Sequence, residues 1–299
     1  MSPASQKPST PHVTFIGGGN MAEAIFSGML SAKHPASQIT IVEPFAPRVE
    51  YLKSTYPNVR TVASGEEALA DGASTDLMVL AVKPQVAATV IRGFAARFRQ
   101  VDPILLSVAA GIRVQDMERW LIDGATEASG PREGWNPLVV RTMPNTPALV
   151  SEGAIGVYGD PKRITSSSRQ MITRLLNTVA PVVEWVDEES LLDAITGISG
   201  SAPAYFFLVM EAIIAQGVAE GLDPDMAARL TAQTCLGAAK MCGGKDTPGE
   251  MRVKVTSPGG TTAAALNVMQ ERGLPEIVKA AVAACRARGT EMGEEFGKQ

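Results

Sequence analysis

Over the first half of the chain, short apolar β-branched runs alternate with stretches whose apolar residues recur at helical spacing. Strands are predicted at residues 12–16, 39–42, 59–62, 77–82, 104–108 and 138–141. Helices are predicted between most of them, notably at 19–32, 85–98 and 114–121. Residues 154–158 and 182–186 read as two further strands flanking a helix. Alternation of this kind implies parallel strands joined by crossover helices, hence an open α/β sheet. Past about Glu188 the strands stop, and residues 202–221, 225–242, 259–272 and 275–292 all read as helices punctuated by Gly and Pro.

The 202–221 helix is apolar nearly all round, interrupted only by Glu211, Gln216 and Glu220. A helix without a polar face must be covered on every side, which a small helical domain cannot do alone, so a subunit interface is expected. Its most apolar part, residues 204–215, is too short to span a bilayer and contains Glu211. Residues 123–137, rich in Gly, Pro, Glu and Ser, read as an exposed loop. A length of 299 residues exceeds one comfortable core. The expected division is a loose Ser- and Pro-rich tail at 1–11, an α/β domain at 12–187 and a helical domain at 188–299.

Composition narrows the partners. Charged residues make up 19% and the formal net charge is −4, with no run of Lys or Arg. Nucleic acid and anionic membranes both want a concentrated basic face, so neither is expected. The tail lacks the apolar core of a secretory signal, which points to the cytoplasm. Cys235, Cys242 and Cys285 have no metal-type spacing and read as reduced, buried thiols. No metal site is expected. The two histidines, His12 and His34, read as surface residues, and no nucleophile elbow is present.

The strongest local signal is Gly17-Gly18-Gly19-Asn20-Met21-Ala22, directly after a strand and opening a helix. Glycines there allow a tight turn and close approach to a pyrophosphate, and the helix start offers free N–H groups to its charge. Together with the strand ending at Ile16, this points to a dinucleotide ligand, NADP or NAD. Glu43 ends the next strand, where a carboxylate accepts from a ribose diol and favours NAD. Arg48, five residues on, could swing toward a 2′-phosphate, so the choice stays open. Ala81-Val82-Lys83-Pro84 and Val108-Ala109-Ala110-Gly111 close the next two strands, where an open parallel sheet places ligands. In the helical half, Ser257-Pro258-Gly259-Gly260-Thr261-Thr262 precedes an Ala-rich helix. Ser257 suits an N-cap and Pro258 the first turn. Two glycines and two threonines cost helix stability, and an anion site explains them better: free N–H groups and hydroxyl donors for a substrate carboxylate.

These motifs resemble those of the pyrroline-5-carboxylate reductase family, from about Val13 to Met292. The resemblance also rests on the run from Arg141 to Pro147, on Thr196-Gly197-Ile198-Ser199-Gly200-Ser201-Ala202-Pro203-Ala204-Tyr205, and above all on Val255 to Thr262. It implies NAD(P)H-dependent reduction of the cyclic imine 1-pyrroline-5-carboxylate to L-proline, the last step of proline biosynthesis. It implies a Rossmann-like N-terminal open sheet and an all-α C-terminal dimerisation domain that intertwines with its twin to make the active site, with dimers commonly assembled into decamers. The cofactor would be held by residues 16–21, Glu43, Ala81–Pro84 and residues 108–110, with Ser64 near the adenosine. Glu189 and the 257–262 turn would face the substrate, Thr262 closest to the imine and able to hydrogen-bond the ring nitrogen. Glu43 departs from the small polar residue common in relatives that use NADPH, Pro144 and Ala202 replace commoner residues, and 123–137 is longer than usual.

Two other classes compete. A β-hydroxyacid dehydrogenase places a catalytic Lys on the first long helix of its second domain, and residues 202–221 contain none. A non-enzymatic NAD(P)-binding redox sensor would have no use for the 257–262 turn.

Overall fold

Eight strands form one sheet in the order β3-β2-β1-β4-β5-β6-β7-β8 in the computed structural model, which describes residues 10–70 and 74–299. The strands are β1 (Val13–Ile16), β2 (Ile39–Val42), β3 (Arg60–Val62), β4 (Leu77–Leu80), β5 (Ile104–Ser107), β6 (Val139–Met143), β7 (Ala154–Gly159) and β8 (Val182–Val186). All neighbours run parallel except β6 and β7. Short, almost wholly apolar strands are what a sheet covered on both faces requires. Val13 and Phe15 join one apolar layer and Ile16 the opposite one, as the two-residue period of a strand dictates.

The crossovers are α1 (Asn20–Ser31), α2 (Ala46–Thr55), α3 (Gly65–Ala68), α4 (Pro84–Val101) and α5 (Val114–Ser129). Helix α6 (Ser166–Leu176) then joins β7 to β8. Ile25, Phe26 and Met29 of α1 and Ile172 and Leu176 of α6 cover one face; Ile91, Phe94 and Phe98 of α4 and Met117, Trp120 and Leu121 of α5 cover the other. The loop expected at 123–137 is corrected here: α5 continues to Ser129 and stops only at Gly130, whose φ of +74° is left-handed. Gly124 is no helix breaker. A Cβ on it would stand 2.7 Å from Arg92 Cα, so it lets α4 and α5 cross closely.

The remaining helices are α7 (Leu191–Ile195), α8 (Ala202–Ala219), α9 (Pro224–Met241), α10 (Pro248–Lys254), α11 (Thr261–Glu271) and α12 (Leu274–Phe296), with a π-helical turn at Thr196–Gly200. The chain forms two compact units, one running to Gly200 and taking in Cys285–Gln299, the other spanning Ser201–Ala284. The compact units thus part at Gly200 and again before Cys285. In the first unit, Ile195 and Leu192 pack so tightly on β7 that a Cβ at Gly156 would sit 2.6 Å from Ile195 Cδ1. Met292 and Phe296 of α12 join the α4–α5 layer. Of the expected tail at 1–11, residues 1–9 lie outside the described ones.

In the second unit α8 packs on α9, yet Phe206, Phe207, Leu208, Leu230, Val268 and Ile277 all stay more than half exposed. Through the π turn, α7 and α8 form one 29-residue apolar run, Leu191–Ala219, long enough by length and composition to cross a bilayer. That corrects the expectation of a run too short to do so. The thiols are not buried either: Cys242 is exposed and Cys235 and Cys285 are partly so, none of them in a disulfide.

Candidate active site

The strand order reverses between β1 and β4, and a cleft of about 580 Å³ opens at that point beyond the strand ends. Ile16, Gly17, Gly19, Glu43, Ser64, Ala81, Val82 and Lys83 line it. The turn that forms its floor depends on glycine. Gly17 has a φ of +98°, and a Cβ there would lie 2.6 Å from the Ala81 carbonyl oxygen. A Cβ on Gly18 would meet Leu52 Cδ1 at 2.7 Å, so that residue seats α2 against the turn. Gly19 has nothing within 4 Å of its Cβ position, because it faces the open cleft. It also precedes α1 without offering a side-chain cap, so the first N–H groups of the helix, those of Asn20, Met21 and Ala22, keep their donors free for a ligand. An open glycine beside an uncapped helix start fits a dinucleotide pyrophosphate.

Glu43 lines the cleft at the end of β2 and also braces the turn. Its Oε2 accepts from Gly18 N at 3.0 Å and its Oε1 from Phe45 N at 2.9 Å. A carboxylate offers about four acceptor positions, so a ribose hydroxyl still finds room. Arg48 is not poised for a phosphate. Its Nε donates to Gly18 O at 2.6 Å and its Nη2 pairs with Glu23. Ser64 caps α3 by accepting from Glu67 N at 3.1 Å. Gly18, Asn20, Met21, Pro84, Val108, Ala109 and Ala110 do not line the cleft. The last three follow β5, where Val108 N donates to Leu80 O at 3.0 Å.

The cleft also takes in Pro44, Ala63, Gly65, Glu66, Thr89, Val90 and Phe94, which no motif marked. Phe94 of α4 reaches the cleft because Gly65 leaves space for its ring, with a Cβ position only 3.1 Å away. A second hollow of about 400 Å³, lined by Thr10, Lys33, His34 and Arg174, lies at the opposite ends of the strands and holds no glycine turn.

In the helical unit, Ser257 is not the helix cap expected. Gly260 N closes a turn on Ser257 O at 3.0 Å, Gly259 has a φ of +70°, and α11 starts only at Thr261. Gly260 takes the cap position with no side-chain bond, so the first turn, with Thr261 and Thr262 both exposed, keeps its donors free. Glu189 was expected to face the substrate. Its Oε1 accepts from buried Arg141 at 3.1 Å and from Val114 N at 2.9 Å, while Arg141 also pairs with Asp193 at 3.1 Å. Thr290 of α12 joins this network through Asp193 at 3.2 Å. Tyr158, paired in register with Arg141, has its phenol pushed up by burial and then by the charge of Glu189.

The family model for pyrroline-5-carboxylate reductase dimerisation matches residues 189–292, and that for NADP oxidoreductase, coenzyme F420-dependent, matches 12–111. A pyrroline-5-carboxylate reductase of Pseudomonas aeruginosa is 38% identical over 97% of this chain and 100% of its own length. The chain belongs to the pyrroline-5-carboxylate reductase family. Membership makes it an oxidoreductase of proline biosynthesis, reducing 1-pyrroline-5-carboxylate to L-proline with NADPH or NADH as hydride donor. Among solved structures of the family, the Coxiella burnetii reductase superposes with a TM-score of 0.83 at 31% identity, covering 95% of this chain and 99% of its own. The Plasmodium falciparum reductase, solved with NADP bound, gives 0.78 at 26% identity, covering 95% and 98%. A pyrroline-5-carboxylate reductase acts on a small molecule, and the dimerisation match spans the helices whose apolar faces lie open here.

Proposed function

We propose that the chain performs this reduction with the dinucleotide in the cleft beyond β1, β2 and β4 and the substrate carboxylate on the 257–262 turn. The observation that carries the reading is the pair Gly17 and Gly19, one closed to any side chain and the other open to the cleft. When bound, the reduced nicotinamide supplies a hydride. The chain's own residues align and hold. A protonated cyclic imine is already electrophilic, so little acid–base machinery is needed, in keeping with a motif set that contains no histidine.

Asn20 and Met21 serve through backbone N–H groups. Val108, Ala109 and Ala110 serve as small residues beside the nicotinamide end, Lys83 shapes the wall, and Pro84 next to it starts α4. At the 257–262 turn, Gly259 and Gly260 leave backbone donors unobstructed, and Ser257 and Thr261 add hydroxyls for the carboxylate. The Thr262 hydroxyl accepts the ring N–H and holds the nitrogen as it becomes an amine. Glu189 supports the chemistry by fixing Arg141 and the start of α5.

Glu43 sets the cofactor preference. Its carboxylate accepts from a ribose diol and repels a 2′-phosphate, which favours NADH by about 1–3 kcal/mol. The open faces of α8 and its neighbours pair with a second copy, giving a homodimer at least and a decamer where dimers associate further. With a net charge of −4 and that apolar face committed to the partner, the protein works in the cytoplasm, off membranes and nucleic acid. The test is steady-state reduction of the imine with NADH and NADPH in parallel. Imine-dependent oxidation with a higher kcat/KM for NADH is expected. A preference for NADPH would overturn the role given to Glu43.

A further inference from the structure

Arg48 stands in the first turn of α2, close to the strand end that carries Glu43, yet it does not line the cleft. It is tied beneath the glycine turn instead. Its Nε bonds Gly18 O and its Nη2 pairs with Glu23, the two side chains being 22% and 18% exposed. Glu23 is gripped from its other side as well. The hydroxyls of Tyr51 and Tyr56 both donate to its Oε1, at 2.8 and 2.9 Å. The guanidinium lies 4.7 Å from the centre of the Tyr51 ring.

The grip keeps Glu23 charged. Burial pushes its carboxyl upward, but the bonds from Arg48, Tyr51 and Tyr56 and the Arg48 charge outweigh that, holding it below the usual carboxylate value. Tyr56 is pushed up to about 12, first by burial and then by its bond to Glu23. Three side chains thus converge on one carboxylate that neither lines the cleft nor enters the hydride chemistry.

We propose that Glu23 is a positioning residue for cofactor specificity: by holding Arg48 under the turn, it withholds a cation that would recognise a 2′-phosphate. The inference rests on the dinucleotide occupying the cleft. A guanidinium prefers a phosphate dianion to a single backbone carbonyl, and it binds one through two parallel bonds. Its position early in α2 sets it beside the strand end where the adenosine ribose of a dinucleotide lies. With Glu23 ionised, the pairing and the tyrosine bonds keep the guanidinium occupied, and Glu43 alone meets the 2′ group. Neutralising Glu23 leaves Arg48 only the Gly18 carbonyl, and its remaining donors turn to the phosphate.

The experiment measures dissociation constants of NADH and NADPH by nicotinamide fluorescence on the full chain, for wild type, Glu23→Gln, Arg48→Ala and the double variant. The ratio of the NADPH constant to the NADH constant should fall about five- to tenfold in Glu23→Gln, in line with a gained charge-assisted bond. It should not move in Arg48→Ala, and the double variant should restore the wild-type ratio. Equal weakening of both nucleotides by Glu23→Gln, or an unchanged ratio, would overturn the proposal. So would the same fall in the double variant, because the effect would then be simple loss of negative charge. Should Glu23→Gln melt early, Glu23→Ala, which keeps helix propensity in α1, carries the same expectation. Wild type binding neither nucleotide would overturn this proposal along with the cleft reading, whereas normal binding with an unmoved ratio overturns this one alone.

Discussion

Two neighbouring glycines should respond to the same substitution in opposite ways. At Gly17, alanine must adopt a left-handed backbone with a φ of +98°, and its Cβ would lie 2.6 Å from the Ala81 carbonyl oxygen and 3.0 Å from the carbonyl carbon. The backbone strain costs about 1–2 kcal/mol. Parting the ends of β1 and β4 to relieve the overlap costs about as much again. A total near 3 kcal/mol lowers the melting temperature by about 6–12 °C for a unit of this size. At Gly19, φ is −71° and ψ −177°, a conformation any residue adopts, and nothing lies within 4 Å of the Cβ position. Alanine stiffens the unfolded chain, a gain of about 0.4–1 kcal/mol, and is a poorer cap than glycine by a similar amount. Stability should therefore barely change. The methyl group nevertheless projects where the backbone must approach a pyrophosphate, so the dinucleotide dissociation constant should rise at least about tenfold, roughly 1.4 kcal/mol. Thermal melts without nucleotide and fluorescence titration with NADH separate the two effects. Gly19→Ala binding as wild type, or Gly17→Ala melting as wild type, would refute the reasoning.

Thr262→Ala should fold normally, since alanine favours α11, and turnover should drop about tenfold or more with cofactor affinity nearly unchanged; wild-type turnover would reduce the threonine to a helix-start residue. Arg141→Leu leaves Glu189 and Asp193 without their buried partner, and should cost about 3 kcal/mol in a denaturant titration. Leu208→Glu alters a side chain 67% exposed in the protomer, so folding of the protomer should tolerate it while sedimentation shows dimers lost. Because the Glu23 carboxyl is held below its ordinary value, its cluster stabilises the fold above that value and loses the effect as pH falls through the lowered one. The stability gap between wild type and Glu23→Gln should accordingly shrink in acid, and a gap that does not change with pH would contradict it.

The sheet was legible because its strands are short, apolar and bounded by turn residues, and the glycine turn because its chemistry is local. What escaped depended on contacts far along the chain. Gly124 and the polar residues after it look like a loop until α4 is seen crossing close to Gly124. Arg48 looked free, since nothing in its neighbourhood announces Glu23, 25 residues earlier, or the two tyrosines that hold it. Glu189 lies 48 residues beyond the Arg141 that claims its carboxylate. Helix α10 carries a local start signal: Thr247 and Glu250 form a capping box, with Pro248 in the first turn. Ser257 misled because it is a favoured cap, whereas the positive φ at Gly259 delays the helix to Thr261.

The central claim, that the cleft and the 257–262 turn together make an imine reductase, is tested most directly by coupling two readouts on the purified chain. Loss of reduced nicotinamide absorbance and formation of proline are followed together, with 1-pyrroline-5-carboxylate added to NADH or NADPH. One proline formed per nicotinamide oxidised, with no oxidation before the imine is added, is the predicted result. Folded protein that binds the dinucleotide yet oxidises none of it in the presence of the imine would contradict the account.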